Sequence, residues 1–128
     1  MDEEKVFLYK PLVLAYVGDS VFELYIRIRL AEERHSSAHA LHIKAIRYVK
    51  AAGQAAILRA IEPELTAREK DVVRFGRNAH TNTMPRNADP AEYHLATGFE
   101  ALLGYLKLSG QEERLNALLA RSYECLNG

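Results

Sequence analysis

Apolar residues recur along this chain at helical rather than strand spacing. The run LVLAYVGDSVFELYI, Leu12 to Ile26, is apolar for too long to be a strand, and Pro11 stands where a first helical turn tolerates proline. The pattern predicts a first helix from Pro11 to Leu30. Ser36 or Ser37 caps a second that continues to Lys50. Gly53 falls near a break, and a short third helix ends near Glu62 and Pro63. TARE forms a capping box, Thr66 with Glu69, and opens a fourth helix toward Asn78. HTNTMPRNAD is loop chemistry, after which Asp89 caps and Pro90 starts a fifth helix to Lys107. SGQE repeats the capping-box spacing at Ser109 and Glu112, ahead of a last helix to Leu126. No stretch alternates as a strand would, and there is no internal repeat or low-complexity tract. The expectation is an all-α fold, one domain of about six helices over residues 1–128.

Two positions break this pattern. Asp19 stands in the middle of the first apolar helix, and Glu100 in the middle of ATGFEALLGYLKL, Ala96 to Leu108. An ionised carboxylate among apolar side chains costs several kcal/mol unless something pairs with it. Each acid has glycine nearby, Gly18 before Asp19 and Gly98 and Gly104 around Glu100. Glycine inside a helix costs about 1 kcal/mol against alanine, so these imply close helix approach or crowding by a ligand. Two carboxylates brought together repel, and one takes up a proton unless a cation lies between them. Hard oxygen donors supplemented by water suit Mg²⁺, or Mn²⁺ in its place. The alternative is that both acids are exposed on the polar edges of amphipathic helices. Glu23, one turn after Asp19, is a candidate supporting group, although Arg27 four residues on is its natural ion-pair partner.

Charge distribution adds a second theme. The chain is neutral overall, which alone argues against a nucleic-acid binder. Residues 34 to 86, however, hold ten basic side chains against four acidic ones, and no acid lies between Arg34 and Ile61 or between Arg74 and Ala88. Such a middle presents a basic face. Arg74 and Arg77 share a helix face, and Arg86 follows on the loop, where Asn78, His80, Thr81 and Asn82 add donors suited to hydroxyl contacts. Lys44 and Arg47 add charge on the second helix. Hydrophobic residues at 48% and charged ones at 27% describe a globular chain rather than a disordered one. One cysteine, Cys125, permits no intrachain disulfide, and there is no secretory signal or membrane-length apolar run. A reducing, cytoplasmic setting without a membrane partner is expected; an organellar one would need a targeting peptide.

LAYVGDSVFELYIR resembles the signature helix of the ribonuclease III catalytic domain, and FEALLGYLKLSG that family's second acidic helix. FGRNAHTNTMPRNADPAEYHLATGFEALLGYL is similar to the Gly-Arg-Asn-Ala loop and acidic helix of its short, single-domain Mini branch. The likeness covers Val13 to Leu108 with the motifs in order. It implies a Mg²⁺-dependent endoribonuclease that cuts double-stranded RNA as a homodimer and leaves 5′-phosphate and 3′-hydroxyl ends. Carried over by residue, Asp19 and Glu100 are the catalytic metal ligands. The larger enzymes have a glutamate where Ala15 stands and an aspartate where Thr97 stands, so this site has fewer carboxylates, with Thr97 left as a supporting group. The chain ends at Gly128, without room for the C-terminal double-stranded-RNA-binding domain of those enzymes. RNA grip then falls to Arg74, Arg77, Asn78, His80, Arg86 and Lys44, or to a helper. The Mini branch implies trimming of the ends of large-subunit (23S) ribosomal RNA precursors, aided by a ribosomal protein. An alternative is a non-catalytic double-stranded-RNA scaffold of the same fold with a degenerate metal site; another is a helical adaptor that merely dimerises.

Other signals carry less. His35, His39 and His42 lack the neighbouring Cys or Asp of a zinc site, and Cys125 has no partner for catalysis. The seven tyrosines suit packing and dimer contacts better than base stacking, since a duplex hides its bases.

Overall fold

A computed structural model describes residues 1–33, 36–81 and 84–127, so Arg34, His35 and Asn82 lie outside the described residues. Seven α-helices follow one another among these: α1 Glu3–Phe7, α2 Pro11–Glu33, α3 Ala38–Val49, α4 Ala51–Ile61, α5 Ala67–Arg77, α6 Pro90–Leu108 and α7 Glu112–Asn127. A 3₁₀ turn, Glu62–Glu64, joins α4 to α5. The fold is all-α, as the periodicity implies.

Caps explain most boundaries. The Ser37 side chain accepts from the Ala40 N–H at the start of α3. Thr66 and Glu69 form the full capping box of α5, and Asp89 accepts from the Ala91 and Glu92 N–H groups ahead of Pro90. One expectation fails, and two details are refined. Ser109 does not cap the last helix: it ends α6, its hydroxyl donating 2.6 Å back to the Tyr105 carbonyl. Gly53 lies inside α4, and the break falls at Lys50 instead. The short α1 is an additional element, tied down by Glu3 accepting from the Tyr105 hydroxyl and by Glu4 pairing with Arg68.

α6 is the axis of the molecule, packed by α2, α4 and α5 with α7 and α1 beyond. From Leu95 to Leu106 every residue is buried except Glu100. A helix apolar all round belongs in a core, and each fully buried Leu or Phe contributes about 1.5–3 kcal/mol. Phe99 meets Phe22 of α2 edge-to-face at 5.1 Å. The opposite end is closed by a polar clamp. Arg114 of α7 donates to both carboxylate oxygens of buried Glu69 at 2.9 and 2.8 Å, and to the Glu64 carbonyl.

Candidate active site

Glycine sets how near the two acids come. A Cβ at Gly18 would fall 1.7 Å from the Glu100 carbonyl oxygen, and one at Gly104 would fall 1.9 Å from that of Leu14. The α2 and α6 backbones therefore touch where the acids sit, and only hydrogen fits between them. Asp19, next to Gly18, comes within hydrogen-bonding reach of the Glu100 carboxyl. Of the two origins open to these glycines, close helix approach is the one found.

Burial first, then the Asp19 charge and its hydrogen bond, push the Glu100 carboxyl up to about 8, against a smaller opposing pull from Gln54. With no cation present, Glu100 holds a proton at neutral pH. Asp19 corrects the expectation of a buried aspartate: it is exposed, and only Glu100 is partly buried. The apolar run around Asp19 reflects a second exposed face of α2, where Leu12, Tyr16, Leu24 and Ile28 lie in solvent at four-residue multiples. Among the described residues no three or more His, Cys, Asp or Glu side chains gather as a metal cluster, so this site is a pair.

Sequence reasoning missed Gln54. It is 1% exposed in the first turn of α4, and its Nε2 donates to the Val49 carbonyl at 3.0 Å and to Glu100 Oε2 at 3.3 Å. Its Oε1 has no partner. A buried acceptor left so costs roughly 1–3 kcal/mol. A cleft of about 240 Å³ opens beside these groups, walled by Val49, Ala51, Pro85, Ala88, Tyr93 and Ala96. Thr97 lines it too, its hydroxyl donating to the Tyr93 carbonyl, while Ala15 is buried in the core. Glu23 pairs with Arg27 at 2.7 Å and lines a separate hollow with Ser20 and Leu24. A cavity of about 310 Å³ between α2 and α3 offers, among the described residues, Arg27 and His42 as ionisable groups and does not include the acids.

Arg74, Arg77, Asn78, His80, Arg86 and Lys44 are all exposed. They are not equivalent. Arg74 pairs with Asp71 at 3.0 Å and lies over the Phe75 ring. Arg77, Arg86 and Lys44 have no ion pair among the described residues. The Arg77 stem packs on Gly98 of α6. Asn78 caps the end of α5.

Residues 12–111 match the model of the ribonuclease III domain. The chain is 54% identical over 109 residues to Mini-ribonuclease 3 of Symbiobacterium thermophilum, covering 85% of this chain and 84% of that one. Against Mini-ribonuclease 3 of a Thermoanaerobacter species it is 43% identical over 126 residues, covering 98% and 89%. A crystal structure of a Fusobacterium nucleatum protein superposes with a TM-score of 0.80 at 28% identity, covering 88% of this chain and 90% of that one. This chain belongs to the ribonuclease III family. Within that family it falls in the Mini-ribonuclease III branch, and its activity class is endoribonuclease, a hydrolase of RNA.

Proposed function

We propose that this chain hydrolyses double-stranded RNA with Mg²⁺ held by Asp19 and Glu100. The observation that carries the reading is the glycine-to-backbone crossing that brings the two carboxylates together. The donor set fits the ion: two carboxylates without sulfur or imidazole, one of them lifted to about 8 by burial and by the charge of the other. Bound there, the cation supplies charge that polarises the phosphate and makes water more acidic. Everything else falls to the chain. The α2–α6 contact holds the carboxylates at fixed separation, and the buried flank of Glu100 limits competing water.

The exposed Arg77, Arg86, His80, Asn78 and Lys44, with Arg74 beside them, offer donors to phosphates and 2′-hydroxyls across the shallow groove of an A-form duplex. The exposed stripe Leu12, Tyr16, Leu24 and Ile28 on α2 supports a homodimer, in which each copy would cut one strand. Maturation of 23S ribosomal RNA ends in the cytoplasm, as a single-domain enzyme with a ribosomal-protein helper, rests on the branch resemblance. No described helix is long and apolar enough to cross a membrane.

The test is cleavage of a long perfect RNA duplex, with Mg²⁺ and with excess chelator, by the wild type and Asp19→Asn. Metal-dependent cuts with 5′-phosphate ends, lost in the variant, are expected. Duplex binding without cuts under any metal would leave the non-catalytic scaffold standing.

A further inference from the structure

Gln54 lies 46 residues from Glu100 in sequence and belongs to a different helix, yet the two meet. The orientation of its amide is settled by chemistry: the Val49 carbonyl can only accept, so the nitrogen must face it, and the same nitrogen reaches Glu100 Oε2. That turns Oε1 to a side where no donor waits. A methionine would fill the same volume without stranding a polar atom. The corner between α3 and α4 is equally specific. A Cβ at Gly53 would fall 2.2 Å from the Arg47 carbonyl oxygen, so the start of α4 is drawn tightly onto the end of α3 and Gln54 is aimed at α6.

We propose that Gln54 is a positioning residue: its amide holds Oε2 of Glu100 so that the other carboxylate oxygen is presented toward Asp19, and this sets the affinity of the site for a divalent cation. The inference rests on the metal-site reading above. Among the described residues the other side-chain hydrogen bond to Glu100 is the proton shared with Asp19, and a cation would replace that proton, so Gln54 is then the one side chain left to orient the carboxylate. Partners that orient a ligand typically change metal affinity by about tenfold to a hundredfold when removed. A Gln54 present only to finish α3, through the Val49 carbonyl, would affect folding and nothing at the acids.

The experiment uses the full chain, with Mn²⁺ alone as probe. Thermal unfolding is followed against Mn²⁺ concentration without RNA, for the wild type, Gln54→Met and Gln54→Asn. Cleavage of the duplex is then measured against Mg²⁺. For Gln54→Met, the expected result is an unfolding temperature without Mn²⁺ at or above that of the wild type, since the stranded oxygen is gone. The Mn²⁺ midpoint should rise at least about tenfold, the Mg²⁺ requirement for cleavage should rise in parallel, and the duplex KM should stay within about twofold. If Gln54→Met does not fold, Gln54→Asn keeps an uncharged amide but draws the donor back by one methylene; a raised Mn²⁺ midpoint in it supports the proposal and an unchanged one overturns it. A wild type that binds Mn²⁺ and cleaves, beside a folded Gln54→Met with unchanged midpoints, overturns the role of Gln54 alone. A wild type that neither binds Mn²⁺ nor cleaves overturns this and the metal-site reading together.

Discussion

Glu69 and Glu100 are the same side chain placed in two apolar settings with opposite outcomes. Glu69, 3% exposed, accepts from Arg114 twice and from the Thr66 N–H. Burial alone would raise its carboxyl, but Arg114 and Thr66 together hold it below the ordinary range. Glu100 has one weak donor, Gln54, and a carboxylate for a neighbour, so burial and Asp19 lift it. A buried acid supplied with partners is architecture. One left with a single weak donor and set against a second acid is where the proposed cation would be held.

The contrast is broken most directly by neutralising each acid in turn. Glu100→Gln should lower duplex cleavage by at least about a thousandfold, the worth of several kcal/mol, while its unfolding temperature holds or rises. Glu69→Gln should do the reverse. Loss of charge-assisted bonds costs about 2 kcal/mol and lowers the unfolding temperature by about 6 °C, with cleavage per folded molecule unchanged. Calorimetry and initial rates on both variants decide it, and equal activity loss in both would erase the distinction.

Next in size is a pH effect of opposite sign at the two sites. Glu69, lowered in the fold, contributes stability above the ordinary carboxylate range that is lost as pH falls through its folded value. Glu100, lifted from 4.5 to about 8, contributes stability that is complete below about 4.5 and lost as pH rises through 8. Urea unfolding in chelator should therefore show stability declining from about pH 5 to 8. Glu100→Gln should flatten that decline and leave the acid limb in place. A decline that survives the substitution would mean another group causes it.

The smallest expected effect separates two arginines one turn apart. Arg77→Ala should weaken duplex binding and reduce the slope of log affinity against log salt by about one, because its charge is unengaged. Arg74→Ala should change the slope less, since Asp71 already takes part of that charge. Binding titrations over a salt series, with catalytically silent Asp19→Asn as background, give both numbers.

Much of this was legible before any coordinates. Helix caps are local, so Ser37, Thr66 and Asp89 announce their helices within four residues. The two acids with their glycines were equally visible, because a charge inside an apolar run breaks the pattern. What failed was non-local or degenerate. Ser-x-x-Glu reads alike for a capping box and for a serine that closes the preceding helix by back-bonding, as Ser109 does. α1 has one buried residue, Val6, and is held by distant Tyr105 and Arg68. Asp19 looked enclosed because α2 carries two apolar faces, only one of which α6 covers. Gln54 gave no signal: a single amide in an alanine-rich helix acquires meaning only when the fold brings Glu100 to it.

The contact of Gly18 with the Glu100 backbone and of Gly104 with that of Leu14 has a mechanical meaning. A crossing with no clearance has no slack, so the backbones that carry Asp19 and Glu100 are held at a fixed gauge. To widen it, α2 and α6 would have to part along their whole packed length. Two hydrogen atoms, standing where Gly18 and Gly104 lack side chains, are thus what locks the crossing.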